Sequence, residues 1–492
     1  MMNRLYIFLL VALPLLFAPT MMAGTDDVMI NITDTTVMSL SDIIGQKLPV
    51  LYVQTVDAEE PTYEMVYAPA GCMGATCNAT KVPGHLTLFK RINGIDSVLY
   101  DSGDYEKDVS GMTIRVRGNT SASEPKKPYK IKFQKKCDLL LRGNDSIYKD
   151  KDWVLLHDDH LMTSTAFRVS RMVGMPWTPA NCYVNVVINS KYRGIYLLCE
   201  SVKRNPHCRL NVDKNTGFIF EKDAYWWNED VYVTSNSAPS YNYTFKYPDE
   251  EDITEEQLAY MQTLVNKLEA SLVADNYPDL IDVDSFAAWC LVHDITGTKD
   301  GGGANRYYSK YDTLPESKIF MPLVWDFDLA ERSGNAWSRC HTKFMSELFD
   351  NSNRAYTSAF VRIWCQIRDT FVSDISAELN AFMNSEQGYA MQSSYRINNA
   401  AYGLNNYFAN QIASRKAWFT SHCKWLDSNV LAMRVPNDVN LDGTVDIGDV
   451  TDLIGGVLGI NEVFTVCADL NGDNVIDIGD ITLLINRILG TS

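Results

Sequence analysis

Apolar residues in the first half of the chain come in short, often alternating runs separated by turn residues, which is the pattern of β-strands. The runs predict single strands at 48–53, 85–89 and 217–221, and two hairpins, one pairing 113–117 with 126–133 and one pairing 182–188 with 192–198. A loop rich in tyrosine and acidic residues is expected to continue to about residue 252. The N-terminal part of the protein is therefore predicted to be β-rich.

Helical spacing of apolar residues appears over 159–173, where Gly174 and Pro176 end the run. Later, Thr254 begins a sequence typical of a capped first turn, and a further helix is predicted over 283–296. Helices are expected to dominate to about residue 430. The predicted fold class is α+β, with a mainly helical C-terminal part.

One apolar run, from Pro322 to Ala330, carries two carboxylates separated by an aromatic residue. We expect a buried strand that ends in a short loop, on which Asp326 and Asp328 point the same way while Phe327 packs inward. Two anions held this close disfavour each other's charge unless a cation lies between them, so a divalent metal is the expected partner. In the alternative, Asp326 begins a turn and Asp328 caps a following helix.

Four cations lie on the first predicted hairpin. Arg115 and Arg117 share one face of its first strand, and Lys130 and Lys132 share one face of its second. Cations grouped in this way form a cradle for an anion, and phosphate is the usual one. The alternative is a solvated face of the sheet.

Length and charge restrict the domain number and the class of partner. The chain has 492 residues, a hydrophobic content of 46% and a formal net charge of −17. The length fits about three domains, or one large domain and a small one. Phosphate contacts with nucleic acid need a clustered basic face, which the acidic composition argues against, so no nucleic-acid partner is expected.

The first 23 residues have the pattern of a secretory signal peptide. Arg4 precedes an apolar core that runs through Phe17, and small residues follow at Ala18 and Ala23. The alternative is an N-terminal membrane anchor. Because no other stretch approaches the length of a membrane span, the mature protein is expected to have no stable span and to be secreted or held at the cell surface.

The 11 cysteines all follow this segment. Export would permit disulfides, and an odd number leaves at least one thiol unpaired or paired between chains. Cys72 and Cys77, close together in a loop rich in glycine and alanine, form the expected local bridge. Because the chain contains no C-x-x-C pair, the sequence predicts no zinc site.

Five motifs in a fixed order give the chain a family resemblance. They are Arg115–Ser121, Lys126–Lys132, Asp152–Leu156, Tyr192–Leu198 and Trp325–Asp328. In this order they resemble the spore coat protein H (CotH) kinase family, across roughly residues 45 to 430. The resemblance implies an atypical protein-kinase-like fold that uses ATP and Mg²⁺ or Mn²⁺ to phosphorylate serine in protein substrates.

The resemblance assigns catalytic and metal-binding roles to four residues. Asp300 matches the catalytic-loop aspartate, which would orient or deprotonate the acceptor hydroxyl. Asn305 follows at the D-x-x-x-x-N spacing that kinases use to bring an amide oxygen to a metal. Asp326 and Asp328 match the metal-binding motif.

The same resemblance implies nucleotide contacts from the β-rich part. Lys130 or Lys132 would neutralise the ATP phosphates, together with Arg117 of the basic hairpin, and the strand ending at Glu200 would lie where a hinge strand contacts adenine. The 159–173 helix has no glutamate to pair with a lysine, as conventional kinases have.

Two acidic repeats near the C terminus match calcium-binding loops. At loop positions 1, 3, 5, 7, 9 and 12 the first has Asp438, Asn440, Asp442, Thr444, Asp446 and Asp449, and the second has Asp469, Asn471, Asp473, Val475, Asp477 and Asp480. Thr444 and Val475 would offer their carbonyls. The alternative is an acidic linker with no fixed metal.

The arrangement of the repeats resembles a dockerin. Each loop leads into an apolar helix, predicted over 450–458 and 481–489, the entry helix is missing, and position 12 is aspartate. Asn474 replaces glycine at position 6 of the second loop, which is tolerable because asparagine adopts positive φ. The resemblance implies Ca²⁺ binding and docking to a cohesin on another protein. We expect a signal peptide at 1–23, a kinase-like domain at 24–435 and a small all-α dockerin-like domain at 436–492.

The resulting hypothesis is a secreted atypical kinase that transfers the ATP γ-phosphate to serine or threonine of an extracytoplasmic protein and is tethered by its dockerin. One alternative is a noncatalytic kinase-like assembly protein of a cell-surface or cellulosome-like complex. Another is a carbohydrate-active enzyme, but the chain lacks a recognisable pair of glycosidase carboxylates.

Overall fold

The computed structural model describes residues 24–143, 147–302 and 304–490, so the predicted signal segment lies outside the described residues. The strands are β1 (Met29–Asn31), β2 (Val37–Ser39), β3 (Val50–Thr55), β4 (Tyr63–Tyr67), β5 (Ala75–Ala79), β6 (Val82–Ile92), β7 (Ile95–Asp101), β8 (Met112–Val116), β9 (Tyr129–Cys137), β10 (Asp150–Leu156), β11 (Asn181–Ile188), β12 (Lys191–Glu200), β13 (Phe218–Lys222), β14 (Tyr232–Thr234), β15 (Asn242–Tyr247), β16 (Arg306–Lys310) and β17 (Ile319–Phe320).

The helices are α1 (Leu40–Ile44), α2 (Met162–Val173), α3 (Glu255–Leu272), α4 (Val283–Thr296), α5 (Met345–Asp350), α6 (Ala355–Ile367), α7 (Phe371–Met383), α8 (Glu386–Tyr402), α9 (Phe408–Leu431), α10 (Ile447–Val457), α11 (Thr465–Ala468) and α12 (Ile478–Ile488). The structure thus has the mixed composition predicted, with a β-rich N-terminal part and a helical C-terminal part.

Seven strands of the N-terminal part close into a ring. They follow the order β10-β9-β8-β6-β3-β11-β12, and β12 then pairs with β10 through Trp153 opposite Glu200 and Leu156 opposite Leu197. Neighbouring strands are antiparallel except β3 and β11, which are parallel. β7 and the β1–β2 pair extend the sheet outside the ring. Because β10 pairs with β12, the ring has no free edge at either strand. In an open sheet, one edge of each of these two strands would be exposed.

The ring has an apolar interior because alternate side chains of each strand point inward. Ile114, Val116, Ile131 and Phe133 of the β8–β9 hairpin are buried there beside Trp153. The residues between them, including the four cations of the predicted cradle, therefore lie on the outer face of the sheet. Both predicted hairpins are confirmed, and the second turns at Asn189 and Ser190, which have φ of 49° and 59°.

A second sheet, in the order β14-β15-β13-β16-β17, connects the ring to the helical part. β13 confirms the strand predicted at 217–221. The prediction of a plain loop to residue 252 is wrong, because 232–234 and 242–247 form β14 and β15. Tyr243 and Phe245 of β15 are buried, and this burial favours a strand where the acidic composition suggested a loop.

The helical part contains the predicted helices with the predicted caps. Thr254 and Gln257 form a reciprocal capping box at the start of α3. α4 spans the predicted 283–296, and it is buried on all sides, which places it in the centre of the largest apolar core. α4 ends at Gly297, whose φ of 60° turns the chain towards Asp300.

The acidic run around Asp326 is buried and extended, but it is not the predicted strand. Residues 321–327 have no strand partner in the described part of the chain, and Asp326 has a φ of 66°. Positive φ breaks the alternation of a strand, so the predicted common direction of the two carboxylates cannot follow from pleating. Phe327 packs inward as predicted and is fully buried.

The C-terminal residues form two loop–helix units. The helices predicted at 450–458 and 481–489 are confirmed, although α10 and α12 each begin three residues earlier than predicted. They pack together around Leu453 and Leu484. The first loop also contacts the preceding helices, because the Ser358 hydroxyl of α6 donates to Asp438 Oδ2 at 2.7 Å.

The cysteines are free thiols throughout. The predicted Cys72–Cys77 bridge is not formed, since the Cys77 thiol donates instead to the Gly118 carbonyl at 3.0 Å. Among the described helices, none has the length and apolar character needed to cross a membrane.

Candidate functional site

The loop that carries Asp300 is tied to the acidic run by main-chain hydrogen bonds. The Lys299 amide donates to the Leu329 carbonyl at 3.2 Å, and the Glu331 amide donates to the Thr296 carbonyl at 2.8 Å. These bonds join the end of α4 to the residues that follow Asp328. Two segments that are 26 positions apart in sequence therefore present their carboxylates at one place.

Three carboxylates perturb one another at this place. Burial and then the charge of Asp328 raise the pKa of Asp326 to about 6. Burial and then Asp326 raise the pKa of Asp300 to about 6, and burial and then Asp300 raise the pKa of Asp328. Each carboxylate disfavours the charge of a neighbour, an arrangement that a divalent cation would relieve.

Asn305 adds an amide to the three carboxylates. Its φ is 65°, its main-chain N–H donates to Glu221 Oε1 at 3.0 Å, and its Nδ2 lies 3.4 Å from Asp326 Oδ2. Rotation of the terminal amide by half a turn would bring the amide oxygen to the same position. Asp300, Asn305, Asp326 and Asp328 therefore lie together, with the oxygen donors that Mg²⁺ or Mn²⁺ prefers.

Positive charge reaches Asp326 from Arg117. Its charge lowers the pKa of Asp326, in opposition to burial, and its guanidinium lies 5.9 Å from the centre of the Trp325 ring. Arg117 follows β8 directly, so the end of the basic hairpin reaches the acidic run. This places one member of the predicted cradle at the site.

A family model described as CotH kinase protein matches residues 114–411. That range contains Asp300, Asn305, Asp326 and Asp328 and covers more than half of the chain. The chain belongs to the CotH kinase protein family. No curated protein matches it.

As a member of this family, the CotH protein is kinase-like. The family suggests that it uses ATP, a divalent metal and a protein substrate. The matched range includes β8, β9 and the helical part up to α9, and it ends before the two acidic loops. The family assignment therefore concerns the kinase-like part alone.

The two lysines of the CotH chain's basic hairpin have different surroundings. Lys130 Nζ lies 3.0 Å from Asp152 Oδ1, and burial lowers the pKa of this lysine. Lys132 is exposed, two positions further along β9. Both remain predicted phosphate contacts, and the pairing with Asp152 gives Lys130 a structural partner as well.

Glu200 lies at the end of β12 in an ion-pair network. Its Oε1 accepts from Arg142 Nη1 at 2.9 Å, and its Oε2 accepts from the Ala180 amide at 3.0 Å. These contacts leave the carboxylate fully occupied by protein donors. The adenine contact predicted at this strand stays a prediction. The contacts of the Glu200 side chain with Arg142 and Ala180 give it a structural role.

Sequence reasoning missed two residues beside the CotH carboxylates. His157 follows β10, and burial followed by the charge of Lys126 lowers its pKa, while Asp326 raises it. The hydroxyl of Tyr225 has a pKa raised by burial and then by Asp300. The apolar residues 153–156 directly before His157 were a local sign of a strand end, but no local pattern placed that end beside Asp326.

A buried ion pair lies at the start of the predicted 159–173 helix, which has no glutamate. Lys126 Nζ lies 2.5 Å from Asp159 Oδ1, and it also donates to Asn398 Oδ1 at 3.0 Å. The predicted range includes Asp159, so an aspartate supplies a carboxylate where glutamate is absent. The pair holds the loop between β8 and β9 against the residues that precede α2.

The first acidic loop is bent by hydrogen bonds from its own main chain to its acidic and amide side chains. The Asp442 amide donates to both Asp438 Oδ1 and Asn440 Oδ1 at 3.1 Å, and the Thr444 amide donates to Asp442 Oδ1 at 2.8 Å. Asp449 Oδ1 accepts from the Val439 amide at 2.6 Å. These bonds close the loop around its acidic side chains, and burial raises the pKa of Asp438.

The second loop repeats the first almost bond for bond. The Asp473 amide donates to Asp469 Oδ1 and Asn471 Oδ1, and Asp480 Oδ1 accepts from the Leu470 amide at 2.7 Å. Asn474 has a φ of 66°, as its position requires. Asp446 and Asp477, at position 9 of their loops, cap α10 and α12. Thr444 and Val475 keep the predicted position 7.

Proposed function

We propose that this CotH protein is a secreted atypical kinase that transfers the γ-phosphate of ATP to serine or threonine of an extracytoplasmic protein. The observation that supports the proposal is the convergence of Asp300, Asn305, Asp326 and Asp328 beside Arg117. Phosphoryl transfer requires a metal site, a cation for the phosphates and a carboxylate that positions the acceptor hydroxyl. The site contains a candidate for each.

Asn305, Asp326 and Asp328 would hold Mg²⁺ or Mn²⁺, which neutralises charge on the phosphates when bound. Asp300 would accept the hydrogen bond of the acceptor hydroxyl and take its proton as the oxygen–phosphorus bond forms and ADP leaves. Its pKa of about 6 leaves it ionised at neutral pH yet close enough to that pH to accept a proton. Arg117 would stabilise the negative charge of the phosphates.

Transfer of labelled γ-phosphate by the purified protein lacking its signal, in the presence of Mg²⁺ or Mn²⁺, tests the proposal. We expect transfer by the parent and loss of at least about a hundredfold in both Asp300→Ala and Asp326→Ala. Asp374→Asn, an exposed carboxylate on α7, is the matched control and should retain the parental rate. Absence of both transfer and nucleotide binding would support the noncatalytic assembly protein instead.

A second proposal concerns the C-terminal module, which we infer is a calcium-binding dockerin that tethers the kinase to a cohesin-type partner. The two loops supply oxygen donors at the spacing of a calcium site. Ile447 and Ile478, at position 10 of their loops, are 72% and 69% exposed, and Leu458 and Leu489 are exposed at the far ends of the same helices. Equivalent apolar residues at equivalent positions form a repeated docking surface.

Substitution of the isoleucines tests the docking surface. The double variant Ile447→Asp and Ile478→Asp should lose binding to cohesin-type domains, because burying a carboxylate at an apolar interface is unfavourable. Phosphate transfer should be unchanged, which separates tethering from catalysis. Binding by the parent that survives the double substitution would exclude this surface, and a parent that binds no cohesin in calcium would exclude the partner class.

A further inference from the structure

Four side chains of metal-binding type converge under the loop that carries Asp300. Cys290 and Asp294 lie one turn apart on α4, and Cys340 and His341 lie in the segment between β17 and α5. One ligand atom from each residue lies within 4.8 Å of the other three. Cys290, Asp294 and Cys340 are fully buried, and His341 is nearly so. We call these four residues the Cys–His cluster.

The separations within the cluster are close to the edges of a tetrahedron. Sγ of Cys290 lies 3.1 Å from Sγ of Cys340, 3.7 Å from Nε2 of His341 and 3.8 Å from Oδ2 of Asp294, and Nε2 of His341 lies 2.7 Å from that same Oδ2. Zinc bonds to nitrogen, oxygen and sulfur imply ligand separations of roughly 3.2–3.8 Å. A bound ion would therefore require the two shortest separations, 3.1 and 2.7 Å, to lengthen by roughly 0.6 Å.

Surrounding groups fix the orientation of the ligands. Asp294 Oδ1 accepts from the Ser338 amide at 3.0 Å, so that Oδ2 is left to face the cluster. The His341 ring stacks on Phe349 with a centroid distance of 4.9 Å. Arg306 Nη2 donates to the Cys340 carbonyl at 3.0 Å. Supporting contacts of this kind are typical of metal sites.

We propose that Cys290, Asp294, Cys340 and His341 bind one structural Zn²⁺ ion. Two thiolates, an imidazole and a carboxylate match the preference of zinc, whereas Mg²⁺ and Ca²⁺ prefer oxygen ligands. Four protein ligands complete a tetrahedral shell, which is the arrangement of a structural site. Binding releases the two thiol protons. The absence of a C-x-x-C pair could not bear on this cluster, because its ligands come from positions some 50 residues apart.

The zinc site would lie directly against the Asp300 loop and support it. A Cβ added at Gly301 would lie 3.1 Å from the Cys340 Cβ and 2.8 Å from the His293 ring, so the loop rests directly on the cluster. Arg306 Nε also donates to the Gly301 carbonyl at 3.1 Å, which links β16, the loop and Cys340. The site does not depend on the proposed kinase activity, since it would hold the loop in a noncatalytic protein as well.

Metal analysis of the full-length purified protein tests the proposal, with elemental mass spectrometry for zinc and replacement by Co²⁺ for the ligands. We expect one zinc per chain and, with cobalt, a thiolate-to-metal charge-transfer band together with the intense visible bands of a tetrahedral ion. Cys290→Ser and His341→Ala should lose the zinc, and His341→Cys should retain it with a stronger thiolate band. Cys423→Ser, a buried cysteine of α9 outside the cluster, is the control and should leave both signals unchanged.

Three results would overturn the proposal: a protein without zinc, a cobalt spectrum without thiolate bands, or a Cys290–Cys340 disulfide in unreduced peptides. Retention of zinc and of the cobalt thiolate bands by folded Cys290→Ser would also overturn it. Should the variants fail to fold, the zinc content and cobalt spectrum of the unaltered protein decide the question by themselves.

Discussion

At the scale of single residues, the carboxylates of Asp300, Asp326 and Asp328 lie where each makes the charge of a neighbour less favourable. Arg117 offsets part of this repulsion at Asp326. The D-x-D spacing and the basic hairpin are local patterns that indicated Asp326, Asp328 and Arg117, whereas Asp300 was assigned by the family resemblance. The sequence could not predict His157 or Tyr225, whose proximity to the carboxylates depends on how β10 and the second sheet meet the acidic run.

Metal binding by these carboxylates should depend on pH in a defined direction. With pKa values of about 6, Asp300 and Asp326 are mainly ionised at about pH 7.5 and mainly protonated at about pH 5. Protons then compete with the cation, so the increase in melting temperature produced by Mn²⁺ and nucleotide should shrink as pH falls between these values. Differential scanning fluorimetry measures this increase.

Without metal, the stability of the folded protein should also depend on pH. Because folding raises these pKa values, the folded state binds protons more tightly than the unfolded state, and the free energy of unfolding should fall as pH rises from about 4 to about 6. Asp326→Asn should reduce both pH effects. An undiminished Mn²⁺-nucleotide shift at about pH 5 would contradict the assignment of these groups as metal ligands.

At the scale of elements, the two hairpins and the capped helix at Thr254 were predicted correctly, but the acidic run and the pairing of distant strands were not. The β8–β9 hairpin follows from alternation and a turn, whereas the closure of β12 on β10 joins residues 197–200 to 153–156 and leaves no local signal. The acidic run was predicted as a strand from its apolar composition. In the structure, Asp326 has a positive φ, and the residues after Asp328 form main-chain hydrogen bonds with the Asp300 loop and the end of α4. The run therefore does not form the predicted strand.

Gly194 in β12 tests how the ring packs on the helical part. A Cβ there would lie 2.5 Å from Asn398 Oδ1 of α8, which accepts from the Ile195 amide and from Lys126. Its φ of 98° adds strain for any other residue. We expect Gly194→Ala to lower the free energy of unfolding by about 2–4 kcal/mol, the combined cost of positive φ and of overpacking.

Gly174→Ala is the matched control for this effect. Gly174 also has a positive φ, of 85°, but a Cβ added to it meets no atom within 4 Å. The control should therefore lose only the cost of the backbone conformation, about 1–2 kcal/mol. Equal losses in chemical denaturation would show that the contact between Gly194 and α8 does not carry the expected strain.

At the scale of the whole molecule, the acidic loops and the kinase-like part share contacts. Asp438 of the first loop accepts from Ser358 of α6, and a Cβ added at Gly443 would lie 2.6 Å from the Ala355 amide nitrogen. The helix that follows each acidic loop could be predicted because each motif is contained within 12 consecutive residues, and calcium binding by the loops stays a prediction. The Cys–His cluster was missed because its ligands meet only in the folded chain.

Calcium should stabilise the protein through these loops. At a calcium concentration a hundred times Kd, each site adds about 2.7 kcal/mol to the free energy of unfolding. Chelation by EGTA should therefore lower the melting temperature, and Asp438→Ala combined with Asp469→Ala should remove the calcium dependence. Asp374→Asn should keep it. A melting temperature that calcium does not change would favour the acidic-linker alternative.

The most direct test of the kinase assignment compares binding and transfer in three forms of the protein. Nucleotide affinity with Mn²⁺ and the rate of γ-phosphate transfer would be measured for the parent, Asp300→Asn and Asp326→Asn. The account predicts that Asp300→Asn binds nucleotide within about threefold of the parent but loses transfer, because it removes only the proton acceptor. It predicts that Asp326→Asn loses both, because it removes a metal ligand. A parent that binds and transfers nothing, or an Asp300→Asn variant that transfers phosphate at the parental rate, would contradict the account.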